Sequence, residues 1–277
     1  MSNQQNTTTL AQYQPFVLPA PMDNSFDPGD MAEDLEGLEL SFPRVKIPGG
    51  GVPQFKMPGE DPDHPNYVGE IEGVILYNHS ANAYWPEGSE YDDNTPPQCQ
   101  SMDAKQGYGD PGLLCATCGY NEFGSSSKGK GKLCKNMRYL YILRSGDFLP
   151  LQLALPPTSI RPYKNFVNAN FALRRRPIYG SLVKITLKPA SSNGFDYSVA
   201  VLQKVRDFEG EELAAVQAYA EGFRGMVKAM LEQWVQAQQT ADPVVPSDSG
   251  PIELPDNGDH FEVGIGVVDG ERELLPA

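Results

Sequence analysis

The chain is short of several things, and each shortage narrows what it does. None of its apolar runs approaches the roughly 18 residues of a membrane-spanning helix. The opening MSNQQNTTTLAQYQPF has neither the basic nor the apolar segment of a signal peptide, so a soluble protein of the cytoplasm is expected. Cysteine is limited to four residues in 277, far from the density of a disulfide-stapled secreted domain. No HExxH, GxSxG, kinase-type or paired-carboxylate constellation occurs, which leaves no positive case for an enzyme. There is no repeat at a period of roughly 20 to 50 residues.

Positive charge is scarce at both ends. Residues 1–43 hold seven acids and no Lys or Arg, and residues 239–277 hold nine acids against the single Arg272. A net charge of −14 ordinarily argues against a nucleic-acid partner. Residues 123–188, however, hold thirteen Lys or Arg and one acid, Asp147. A positive block between negative ends is the electrostatic footprint of phosphate binding.

With 40% hydrophobic residues the chain can bury one principal core. Three regions are expected: a flexible acidic arm over 1–42, a main domain over 43–240 with an insertion at about 95–136, and an acidic tail over 241–277. In the arm, MAEDLEGLEL has room for a short helical turn. The Pro- and Gly-rich PRVKIPGGGVPQFKMPGEDPDHP permits only short extended pieces, so regular structure is expected from Tyr67, where YVGEIEGVILYNHS suits a bent strand and NAYW a second extended piece. MRYLYILRSGDFLPLQLAL reads as a hairpin turning at Ser145, Gly146 and Asp147. The spacing of Ile160, Tyr163, Phe166, Val167 and Phe171 predicts a helix capped by Thr158 or Ser159 and closed by Arg174, Arg175 and Arg176. SLVKITLKPA and FDYSVAVLQKV form a second hairpin, and the face Leu213, Val216, Ala220, Phe223, Val227, Met230, Trp234 predicts a long helix. The fold class expected is mainly β: a five-stranded OB-like barrel, with a helix between its third and fourth strands, an inserted zinc subdomain and a long C-terminal helix.

Cys99, Cys115, Cys118 and Cys134 follow the spacing C-x15-C-x2-C-x15-C, with none left over. A tight CATC turn can offer two thiolates to one tetrahedral ion while the long spacers bring in the outer pair, so one structural Zn²⁺ on all four is expected. A redox CxxC and merely reduced cysteines are the alternatives. The redox pair normally sits near a βαβ pattern, whereas this one lies among Gly, Ser, Asp and Pro, which cannot form a core unaided. Gly124, Gly129 and Lys130 resemble part of a P-loop, but Gly131 stands where a Ser or Thr must hold Mg²⁺, and no helix can begin there.

Candidate nucleic-acid contacts follow from the basic block: Lys128, Lys130, Lys132 and Lys135 on the tongue GSSSKGKGKLCK, then Arg138, Tyr139, Tyr141 and Arg144 on one strand. Tyr163, Lys164 and Arg174 to Arg176 belong to the helix, and Lys184, Lys188, Phe195 and Tyr197 to the second hairpin. The two faces of RYLYILR carry Tyr139 and Tyr141 on one side and Arg138, Leu140, Ile142 and Arg144 on the other, and only one face is expected to be core. The tyrosines are therefore either a stacking platform or core residues. Aromatics interleaved with cations suit single strands better than a duplex groove.

This combination resembles the zinc-bearing single-stranded DNA-binding proteins of phage replication systems, with an OB-type core, a cysteine-rich insertion and an acidic C-terminal tail. The resemblance covers residues 43–277 and is architectural. It departs from members that have a histidine ligand and a basic N-terminal arm. It implies sequence-nonspecific coating of single-stranded DNA, or of RNA, in replication, recombination or repair. It also implies replication or recombination partners recruited through the acidic tail, no membrane, and a bacterial or phage-infected cytoplasm. The competing readings are a zinc-ribbon adaptor of a replication or transcription complex, and a zinc-dependent nucleic-acid enzyme.

Overall fold

A computed structural model of the chain describes residues 14–19, 42–59, 61, 64–87, 95–127, 130–192 and 194–240. The expected turn in MAEDLEGLEL, Lys128 and the acidic tail lie outside the described residues. Among the described residues no helix is long and apolar enough to cross a membrane.

The protein is strand-rich, built on a curled mixed sheet with a long C-terminal helix. Its strands are β1 (Arg44–Val45), β2 (Phe55–Met57), β3 (Asn66–Val68), β4 (Glu70–Tyr84), β5 (Cys99–Ser101), β6 (Tyr108–Gly109), β7 (Lys135–Leu143), β8 (Leu151–Leu155), β9 (Ser181–Ser192) and β10 (Phe195–Asp207). Helices α1 (Pro157–Asn170) and α2 (Gly210–Thr240) complete it. The main sheet runs β1-β8-β7-β4-β5-β6, with β9 on β4 and β10 on β9, while β2 and β3 pair separately. All of these pairings are antiparallel except β1 with β8.

β4 organises the sheet because it changes partners along its length. Glu70–Gly73 pairs with β9, Val74–Ala83 with β7, and Asn82–Tyr84 with β5. NAYW is therefore mostly the end of β4 and not a separate strand. The change of partner falls at Gly73, where an added Cβ would lie 2.5 Å from the Leu143 carbonyl oxygen, so the strands approach too closely there for any side chain. A register shift between Ile75 and Tyr77 adds the local twist that lets the sheet curl.

Both faces of the sheet are covered. One core holds Phe55, Ile71, Leu140, Ile142, Leu153 and Val183, closed by Tyr163 and Phe166 of α1. The other holds Val74, Leu76, Tyr141, Leu143 and Phe208 against Val216, Ala220, Phe223 and Val227 of α2. The expectation of a single core face on β7 is thus corrected: α2 folds back over the second face. Part of the acidic arm joins this core. Phe16 is buried edge-on to Phe208, with ring centroids 5.6 Å apart, and its backbone N–H donates to Glu212 Oε1 at 2.9 Å.

Three local expectations also change. The residue capping α1 is Pro156, with Pro157 at the first helical position. Ser159 is buried instead, and its Oγ accepts the Ala200 N–H at 2.9 Å. α1 ends at Asn170, before the arginines; Arg174 lies in a 3₁₀ turn and Arg175 has φ of 52°, so the run turns away from the helix axis and does not complement its dipole. Regular structure begins at β1, well ahead of Tyr67, because Val45 is buried by the parallel pairing with β8. The β9–β10 hairpin and α2 fall where their periodicities place them.

Candidate functional site

Cys99 opens β5, Cys115 and Cys118 flank the turn before a 3₁₀ turn at Gly119–Asn121, and Cys134 leads into β7. Together they line one cavity of about 20 Å³, the space of a single small sphere. None forms a disulfide. Among the described residues no three His, Cys, Asp or Glu side chains stand at metal-holding separations as placed. The cysteines are nevertheless near enough to act on one another. Burial first, then the thiols of Cys115, Cys118 and Cys99, pushes Cys134 up to about 11; burial likewise raises Cys99, with Cys115 and Cys118 adding to the shift. Four sulfur atoms thus face one small cavity, and sulfur donors are of the kind that Zn²⁺ takes. Backbone hydrogen bonds hold the loop: the Cys134 N–H donates to the Tyr120 carbonyl at 2.8 Å and the Cys115 N–H to the Lys105 carbonyl at 2.7 Å. An added Cβ on Gly107 would come within 2.9 Å of Cys99 Sγ.

Three grooves meet beside this subdomain, with Met137 lining all of them. The largest, about 960 Å³, lies between the β4–β7 sheet, the cysteine subdomain and α1, and carries Arg138, Arg161, Lys164 and Phe123. The second, about 470 Å³, carries Arg44, Lys46, Trp85 and Tyr139. The third, about 280 Å³, carries Lys135, Tyr197 and again Trp85. Among the described residues no Asp or Glu lines any of them, in a protein of net charge −14. Phe123 is 82% exposed, with Lys132 Nζ 4.8 Å from its ring centroid.

The expected contacts divide sharply. Lys135, Arg138, Tyr139, Lys164 and Tyr197 reach the grooves, and Lys132 stands beside them on Phe123. Tyr163 lines the largest groove but is buried, and burial pushes its phenol up to about 12 despite the Arg138 charge beside it. Tyr141 is no stacking platform: it is fully buried, its hydroxyl 3.1 Å from Gln152 Nε2 and 3.2 Å from His79 Nε2. Arg144 pairs with Asp147 at 2.6 Å, and Lys184 pairs with Glu70 at 3.0 Å and Glu72 at 3.7 Å. Arg176 donates to the Gly180 and Phe208 carbonyls and lies 3.3 Å from Asp207. These three cations are engaged in holding the fold. Lys130, Arg174, Arg175, Lys188 and Phe195 are exposed but line none of the three grooves.

Sequence reasoning missed Arg44, Lys46, Trp85, Phe123 and Arg161. Phe123 and Arg161 lie inside the basic block and were within its reach. Arg44 and Lys46 sit in a Pro- and Gly-rich stretch, and only the β1–β8 pairing, which sets Arg44 opposite Gln152, brings them to the site. Comparison with protein-family models, with curated proteins and with solved structures returned no match.

Proposed function

We propose that this chain binds single-stranded DNA without catalysis, laying the strand along the three connected grooves. The observation that carries the reading is their lining: six cations, Arg44, Lys46, Lys135, Arg138, Arg161 and Lys164, with Trp85, Tyr139, Tyr197 and Phe123 between them and no acid among the described residues. Cations take the phosphates and aromatic faces stack on bases, a division suited to an unpaired strand, whose bases are free. The pairing order β8-β7-β4-β9-β10, with α1 between β8 and β9, supports an OB-like reading with β4 as the first barrel strand. Among the described residues no ladder joins β8 to β10, so on this reading the barrel is open there.

Cys99, Cys115, Cys118 and Cys134 would hold one Zn²⁺. The ion supplies charge neutralisation and crosslinking to a subdomain with little core of its own. Asn121 ties that subdomain to the groove, since its Nδ2 donates to the Cys115 carbonyl at 2.7 Å while its Oδ1 accepts from Asn136 of β7 at 2.8 Å. The role that follows is coating and protection of exposed strands in replication or recombination.

The test is fluorescence anisotropy with dye-labelled oligo(dT), matched duplex DNA and matched RNA. Tight binding to oligo(dT) with weak duplex binding is expected. Absence of single-strand binding at low salt overturns the reading and leaves an adaptor role for the cysteine subdomain.

A further inference from the structure

Resting on the single-strand reading, we propose that the largest groove contains a base-reading pocket in which Arg138 recognises guanine, so that the protein prefers strands carrying a guanine over pure oligo(dT).

Arg138 differs from the other cations of this groove. Arg161 and Lys164 stand exposed on α1, at the height where a phosphate keeps much of its water. Arg138 rises half-buried from β7 and is held in place. Its Nε donates to Asn78 Oδ1 at 2.7 Å, Nη2 donates to the same oxygen, and Nη1 donates to Ser80 Oγ at 3.1 Å. A guanidinium has five N–H donors, so two remain for a ligand, on a group whose orientation is already fixed. The side chains Asn82, Asn121, Asn136 and Asn168, which share the groove with it, are neutral amides.

A half-buried, pre-oriented fork among neutral amides matches a neutral base edge better than a phosphate, which loses more hydration there. Guanine presents two adjacent acceptors, O6 and N7, the pair a guanidinium fork addresses; thymine has O4 alone and adenine pairs N7 with a donor. Beneath Arg138 lies the buried ring of Tyr163, with the guanidinium carbon 6.0 Å from the ring centroid. Phe123, exposed on the same groove, gives the base a face to stack on.

The experiment uses the full chain in competition binding. Unlabelled oligo(dT), the same oligomer with one central dG, one with dA, and one with 7-deaza-dG, which lacks the N7 acceptor, displace a labelled oligo(dT). The dG oligomer is expected to compete at least about fivefold better, the low end for a bidentate contact. The 7-deaza and dA oligomers should return to the oligo(dT) value. In Arg138→Lys, which keeps the charge and loses the fork, the ratio of dG to dT affinity should fall to about one. Equal competition by all four oligomers in the unaltered protein assigns Arg138 to phosphate and overturns the proposal while leaving single-strand binding standing. No binding to any oligomer overturns both.

Discussion

Asn136 on β7 donates one amide N–H to Asn121 Oδ1 at 2.8 Å and the other to Asn82 Oδ1 at 2.7 Å, so a single side chain joins the cysteine subdomain to the floor of the largest groove. Lys132 Nζ reaches the same Asn121 oxygen at 3.1 Å. Loss of a Zn²⁺ held by the four cysteines should therefore be felt in the groove. Protein purified without chelator is expected to carry one Zn²⁺ per chain by elemental analysis, and Cys115→Ser with Cys118→Ser to carry none. Chelation should weaken oligo(dT) binding about tenfold or more, the worth of one or two hydrogen bonds. Asn121→Ala should weaken binding similarly while keeping the metal; full metal with undiminished affinity would show that the bridge does nothing.

Salt provides the second check. If the five groove cations other than Arg138 meet phosphates, the logarithm of the binding constant should fall against the logarithm of salt concentration with a slope of about −3.5. Arg161→Glu with Lys164→Glu should weaken binding to every oligomer and flatten that slope. Charge reversal at Arg174 and Arg175, outside the grooves, should change both far less.

Trp85 and Trp234 are the only tryptophans and report on different places. Trp85 lines two grooves, with its Nε1 donating to the Thr95 carbonyl at 3.0 Å; Trp234 packs edge-on against Tyr108 at 5.2 Å. Oligo(dT) should quench the intrinsic fluorescence through Trp85. Trp234→Phe keeps the quench. Trp85→Phe abolishes it, and Trp85→Ala weakens binding by roughly 1 to 3 kcal/mol, the worth of one stacked base.

Tyr141 separates core from interface. Tyr141→Phe leaves His79 Nε2 and Gln152 Nε2 without their hydroxyl partner and should cost about 1 to 3 kcal/mol of stability in denaturant melts. Oligo(dT) affinity should stay unchanged, whereas Tyr139→Ala, in the second groove, should lower it.

Acid should weaken the fold through Glu212. Its carboxylate takes two N–H groups of Arg206, at 2.6 and 2.5 Å, as well as the Phe16 backbone N–H. The Arg206 hydrogen bonds hold its pKa below the ordinary 4.5, against an opposing contribution from burial. A depressed carboxylate stabilises the fold above its unfolded value, and that stability is lost as pH drops below 4.5 through the folded value. Glu212→Gln should lower Tm at neutral pH, with the gap from the unaltered protein closing as the melts move into acid. A gap that stays constant with pH would assign the effect to packing.

Local pattern alone sufficed for some of this protein. The β9–β10 hairpin and α2 were legible because periods of two and of 3.6 residues are properties of short windows. Cysteine spacing likewise pointed to one site, because Cys115 and Cys118 share a turn and cannot stray from each other. The excess of positive charge over residues 123–188 was equally legible, since it needs no fold to be counted.

Tertiary structure decided which members of that block are available. Lys184 looks free along its own strand, and only the β4–β9 register, which sets it opposite Glu72, spends it on an ion pair. Tyr139 and Tyr141 are equivalent by alternation. α2 returns from some eighty residues further along the chain to bury Tyr141 against Phe223, leaving Tyr139 half-exposed at the groove. Arg44, Lys46 and Trp85 carry no local mark at all. Their place at the site comes from strand pairing and loop packing across distant parts of the chain, contacts whose energy depends on surfaces that do not exist until both cores have formed.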